Sequence, residues 1–137
     1  MRVLTFLLLF VSLVLHADIY TQKLYERVLG SIFTHRPIVA YVVGDARKDL
    51  EQSHLFRVVS ACSDDVDVVI VDAYTSIPKE CSYKPVFAIT HKAYQKIPQA
   101  FGAFYWFKGR PQLHFRSVKM AELGLSLSNE LQRYADE

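Results

Sequence analysis

Residues 66–72 read Val-Asp-Val-Val-Ile-Val-Asp. Side chains branched at Cβ crowd a helix but pack well on a pleated surface, so this run predicts a strand over Val66–Val71. Apolar residues nearly fill it instead of alternating with polar ones, the pattern of a strand covered on both faces. Two further runs read the same way, Ile38–Val43 (IVAYVV) and Pro85–Thr90. Leu55–Ala61 is a fourth strand candidate, second in chain order. Between these runs the pattern turns helical. Leu24, Val28 and Ile32 recur at helical spacing, which predicts a helix over Ile19–Phe33 that ends ahead of Pro37. Ala46–Gln52 and His91–Ile97 read as short helices. Alternating strands and helices predict an α/β three-layer sandwich with a mainly parallel central sheet and helices on both faces.

The C-terminal third reads differently. Phe101–Phe107 and Gln112–Phe115 are separated only by Lys108-Gly109-Arg110-Pro111, too short for a parallel crossover, so they form an antiparallel edge hairpin. A helix is expected over Ser117–Leu123, stopped at Gly124. A last helix, capped by Ser126 or Ser128, is expected to end near Ala135. One conflict stands. About four residues separate the second and third strands as drawn, whereas a parallel crossover takes about a dozen. Either the second strand is shorter, or it runs antiparallel.

The chain has 137 residues, 51% hydrophobic and 22% charged, with a formal net charge of +2. Such a balance excludes a disordered chain and leaves no strong field to attract nucleic acid. Its length is that of one domain. The apolar excess lies at one end: Met1-Arg2 begins a basic start, Val3–Leu15 is almost wholly apolar, and His16-Ala17 precedes Asp18. This is the order of a secretory signal peptide over residues 1–17, with cleavage after Ala17 and the domain at 18–137. The run is shorter than the roughly 20 residues of a membrane span, and no cysteine follows it to carry a lipid. The expectation is therefore an exported, periplasmic protein with no membrane span after cleavage.

Export makes a Cys62–Cys81 disulfide plausible. Each cysteine falls shortly before a strand-like run, so parallel neighbouring strands would bring the two to one end of the sheet. A bridge across about 20 residues would stabilise the domain by roughly 3 kcal/mol. The alternative is two unpaired small residues. Neither a Cys-x-x-Cys redox pair nor a zinc site fits, and no metal or cofactor is expected.

Ligands of open α/β sheets bind beyond the carboxyl ends of parallel strands. Those ends carry Asp45, Asp72, Thr90 with His91, and Lys108. A small-ligand pocket would lie near Asp45, Asp72 and His91. The plain alternative is that both aspartates cap the turns that follow them. A nucleophile elbow, a His-Glu-x-x-His motif and a glycine-rich phosphate loop are all absent from the sequence, and His35, His54, His91 and His114 are scattered, so no enzyme is expected. The least ordinary stretch is Phe101-Gly102-Ala103-Phe104-Tyr105-Trp106-Phe107. Strict alternation would place Phe101, Tyr105 and Phe107 on one face and Phe104 and Trp106 on the other. An incompletely covered face, with Tyr105, Phe107, Lys108 and Arg110, would suit a protein partner.

From Gly102-Ala103-Phe104 through Gly109-Arg110, Leu113-His114-Phe115 and Ala121-Glu122-Leu123-Gly124-Leu125-Ser126-Leu127-Ser128-Asn129-Glu130-Leu131, the chain resembles the YfiR-like periplasmic regulators. Gly44-Asp45 after the first long strand, and Cys62 ahead of the third, continue the resemblance. His35-Arg36-Pro37 stands where that family carries Trp-Pro, and Arg116-Ser117 where it carries Asn. The resemblance implies a non-enzymatic inhibitor that binds the sensory region of a membrane signalling protein such as a diguanylate cyclase. A second copy of the chain is another partner it leaves open, and reduction of the bridge would relieve inhibition. The Leu123-Gly124-Leu125 ending also looks like that of periplasmic substrate-binding components of transporters, so the competing expectation is a small-ligand binder or transporter accessory.

Overall fold

A computed structural model describes residues 19–136. The signal peptide expected at 1–17 lies outside the described residues. The first helix, α1, occupies residues 19–32. Its C-terminal carbonyls are capped by Arg36, whose guanidinium donates to Gly30 O at 2.8 Å and Phe33 O at 2.5 Å. The elements that follow are β1 (Ile38–Val42), α2 (Ala46–Glu51), β2 (Phe56–Val59), β3 (Val68–Val71), β4 (Val86–Ala88), α3 (His91–Lys96), β5 (Ala100–Phe107), β6 (Arg110–Arg116), α4 (Ser117–Glu122) and β7 (Ala135–Asp136). Short 3-10 turns at Lys79–Cys81 and Gln132–Tyr134 complete the set.

Among the described residues the strands form one sheet in the order β2-β1-β3-β4-β5-β6-β7. The run from β2 to β5 is parallel, β6 returns antiparallel to β5, and β7 lies parallel to β6. Alternate side chains of the buried strands enter two cores. On one face Ile38, Ala40, Val42, Val68, Ile70, Phe87, Phe104 and Phe115 pack with Tyr25, Val28 and Leu29 of α1, Leu50 of α2 and Met120 of α4. On the other, Val39, Val69, Val71, Val86 and Ala88 pack with Ala93 and Tyr94 of α3 and with Cys81. This is the expected sandwich, mainly parallel with an antiparallel pair toward one edge.

The crossover conflict resolves through a shorter second strand. β2 ends at Val59 and is parallel to β1, and residues 60–67 return to β3 on the far side of β1 without any helix. Other contacts replace the missing helix. Val66 is buried, and Asp67 takes two bonds from β1 as its carboxylate accepts from Val39 N at 2.8 Å and its own N–H donates to Val39 O at 2.8 Å. Cys62 is bridged to Cys81, with Cα atoms 5.7 Å apart. Asp64 accepts from Tyr83 Oη at 2.5 Å and, through its carbonyl, from Lys84 Nζ at 2.6 Å.

Two local expectations are corrected. The last helix does not form. Leu123, Leu125 and Leu127 are half-buried while Gly124, Ser126 and Ser128 are exposed, the period of an extended segment laid over a core, and the chain ends as β7 beside β6. The facing of Phe101 also changes. The β4–β5 register pairs Val86 with Ala100 but Phe87 with Gly102, so Phe101 is bulged out of the ladder. Phe101 therefore joins Phe104 in the first core, while Ala103 and Tyr105 belong to the second. Phe101 thus packs on the face opposite Tyr105.

Candidate functional site

The parallel order reverses between β1 and β3, since β1 continues outward to β2 and β3 continues the other way to β4. Loops diverge at such a switch point and leave a crevice beyond the carboxyl ends of the strands. A cleft of about 400 Å³ lies there, lined by Asp45, Asp49 and Asp72, with walls that include Tyr25, Tyr74 and Trp106. Each carboxylate has its own setting. Asp72 follows β3 and serves its loop: Oδ1 accepts from Tyr74 N at 2.9 Å and Thr75 Oγ1 at 2.7 Å. Its Oδ2 leans over the β1 turn, 2.7 Å from where a Cβ on Gly44 would stand, and Gly44 also has φ +104°. Only glycine meets both conditions without strain. Asp45 occupies the N-cap position of α2 but makes no capping bond, so its carboxylate does not do the structural work that an aspartate there usually does.

Tyr25 brings its phenol to this cleft from α1. Its residue is 5% exposed and its ring meets Phe104 edge-on, yet its hydroxyl makes no hydrogen bond among the described residues. Burial, with the charge of Asp49 beside it, pushes the phenol pKa well above 10.0 and keeps it neutral. Trp106 closes one side, with its indole N–H on Thr21 Oγ1 at 3.2 Å and its ring 6.0 Å from that of Tyr20. Tyr74 is 87% exposed, and Lys92, which is not among the lining residues, has its Nζ 5.7 Å from the centre of that ring.

Of the pocket residues expected from sequence, the fold brings Asp45 and Asp72 together. His91 is not among the lining residues. Its ring packs 5.5 Å from Tyr105, which belongs to the second core. Thr90 does line the cleft and also caps α3, its Oγ1 accepting from Ala93 N at 3.0 Å. Sequence reasoning missed Tyr25 and Trp106 as lining residues, because helix α1 and strand β5 reach the cleft only through packing across the first core, and it missed Asp49, which reaches the cleft from the first turn of α2.

The hairpin is the second candidate surface. Lys108 and Gly109 both have positive φ, 51° and 75°, the geometry of a two-residue type I′ turn. At this tip Phe107 is 52% exposed, Lys108 Nζ lies 5.4 Å from its ring centre, and Arg110 is exposed. Tyr105 is separated from them: it is buried, and its hydroxyl lies 3.2 Å from His114 Nε2.

Tyr105 belongs instead to a stack that runs across the second face. The Arg116 guanidinium lies 3.8 Å from the centre of the Tyr94 ring, Tyr94 stacks on His114 at 5.7 Å, and His114 on Tyr105 at 5.8 Å. Arg116 also donates to the carbonyls of Tyr94, Ile97 and Ala100, the last at 2.8 Å. Tyr94 donates to Asp136 of β7 at 3.0 Å, and burial followed by this partner pushes its phenol pKa up. His35 pairs with Asp67 at 2.9 Å. Histidines 35, 91 and 114 therefore serve packing and loop contacts. Among the described residues no group of three or more histidine, cysteine or acidic side chains converges to hold a metal ion, and no helix is long and apolar enough to cross a membrane.

Compared with protein-family models, curated proteins and solved structures, the chain matches none.

Proposed function

We propose that this chain is an exported, non-enzymatic regulator that binds the sensory region of a membrane signalling protein, such as a diguanylate cyclase, and restrains it. The observation that carries the reading is the hairpin tip, where Phe107 stands half out of the surface beside Lys108 and Arg110. A half-exposed aromatic next to an arginine is the composition that dominates protein interfaces. The tip is also held rigid by its type I′ turn and the β5–β6 ladder, so little conformational freedom is lost when a partner docks. The sequence resemblance to YfiR-like regulators and the secretory leader supply the partner class and the compartment.

The test is capture from solubilised membranes by tagged protein recovered from the cell envelope. The expected result is enrichment of an inner-membrane sensor protein. Phe107→Ala combined with Arg110→Gln should lower its recovery by about tenfold or more at an unchanged melting temperature. Lys108→Asn should lower it less, because asparagine keeps the left-handed turn while removing the charge. Equal recovery by the Phe107/Arg110 variant, or a chain retained in the cytoplasm with its leader intact, would overturn the reading.

A further inference from the structure

We infer that the cleft between the ends of β1 and β3 binds an organic ammonium ion, with Asp45 and Tyr25 as acceptors for its N–H groups and Trp106 and Tyr74 against its carbon. This goes beyond the hairpin reading, and either can fail alone.

Four observations lead here. The cleft lies at the switch point, where α/β sheets hold ligands, and its volume of about 400 Å³ suits a small molecule. Asp45 and Asp72 bring carboxylates to its lining, which favours a cation over an anion. Two polar groups there lack a structural task. Asp45 caps nothing although it stands at an N-cap, and Tyr25, 5% exposed, carries a hydroxyl with no hydrogen bond among the described residues. The lining includes the rings of Tyr25, Trp106 and Tyr74, the last two 43% and 87% exposed. Such rings attract ammonium groups through their negative faces and cover the attached carbon at the same time.

The same geometry argues for an organic cation over a metal ion. A metal needs several ligands within about 2.0–2.6 Å of one point, and no such convergence exists among the described residues. Acceptors spread along a cleft between rings match a body several atoms long. An alkylammonium group has two natural sources, a free amine or the side chain of a lysine in a partner protein.

Trp106 is the chain's one tryptophan, so its fluorescence reports on the cleft. The protein, as recovered from the expressing cell, is titrated with 1,4-diaminobutane, the neutral analogue 1,4-butanediol, Nα-acetyl-lysine methylamide and calcium chloride, with calorimetry in parallel. A saturable change with the diamine, absent with the diol, is expected. Asp45→Asn should weaken it by about tenfold or more, the value of a charge-assisted hydrogen bond, at an unchanged melting temperature. Tyr25→Phe should weaken it less. Diamine binding that exceeds binding of the lysine amide assigns the site to a free amine, and the reverse order to a partner's lysine. No saturation by either amine at millimolar concentration overturns the inference. So does equal binding of the diol, unchanged affinity in Asp45→Asn, or binding of calcium alone.

Discussion

Opening the Cys62–Cys81 bridge releases the crossover between β2 and β3 from its covalent tie. The bridged residues are 19 apart. Closing a loop of that length in the unfolded chain removes chain entropy worth about 3 kcal/mol at 25 °C. A domain of this size loses about 4 °C of melting temperature per kcal/mol, so the reduced protein should melt about 12 °C lower. Hydrogen bonds from Tyr83 and Lys84 to Asp64 survive reduction, but they are exposed and worth little. Replacing both cysteines by alanine should cost about 1 kcal/mol beyond reduction, because Cys81 is fully buried and its sulfur fills the second core. Alanine is preferred to serine there, since a buried hydroxyl would need a partner. The assay is thermal unfolding of the wild-type protein with and without a phosphine reductant, beside the alanine pair. Hydrogen exchange of residues 60–67 should rise on reduction while that of β1 does not. A reduced wild type melting within about 3 °C of the oxidised one would refute the entropic argument. A shift of the alanine pair's melting temperature by reductant would refute it equally, since that variant has no bridge to open.

Gly102→Ala should destabilise by about 1–3 kcal/mol in urea unfolding, because the added Cβ would stand 2.7 Å from both His114 O and Phe115 Cδ1 across the hairpin. Arg116→Ala should cost about 2–3 kcal/mol in the same assay, as it takes the guanidinium from the carbonyls of Tyr94, Ile97 and Ala100, of which Ile97 O keeps only the N–H of Ala100. Arg116→Lys should recover part of that, since an ammonium cannot fork among the carbonyls or lie flat on Tyr94. Stability should fall as pH rises above 10. The phenols of Tyr25 and Tyr94 ionise near 10.0 when unfolded and only at higher pH when folded, so the stability they supply is complete below pH 10 and lost above it. Each can contribute a slope of up to about 1.4 kcal/mol per pH unit. Tyr25→Phe should flatten the curve between pH 10 and 12, and an unchanged slope would count against the burial of that phenol.

Strand identity was legible in the chain because it rests on local chemistry. The runs at 38–43, 66–71 and 85–90 are branched and apolar along their whole length, and covered parallel strands have that composition. Asp45 and Asp72 were legible as a pair because each directly follows such a run, and parallel strands deliver their ends to one edge. The partnership of Cys62 with Cys81 followed from the same parallel neighbours. The final segment was not legible because its leucines also fit a helix, and only the core beneath them selects the period of two.

What the tertiary structure alone decided is everything that depends on strand order and on packing between distant segments. No local pattern places β2 outside β1, yet that order puts the reversal, and hence the cleft, between β1 and β3. The bulge at Phe101 is set by the register of β4 against β5, and it moves one aromatic ring from one core to the other. Tyr25 and Trp106 are about 80 residues apart in sequence and line one cleft because α1 crosses the sheet over β5. Arg116, Tyr94 and His114 form a stack that no spacing along the chain foretells. Periodicity and propensity act over a few residues, so the sequence by itself determined the elements as far as α4 and the chemistry at their ends. Which ends meet depends on how the sheet is ordered, and that order is decided by the cooperative burial of both its faces.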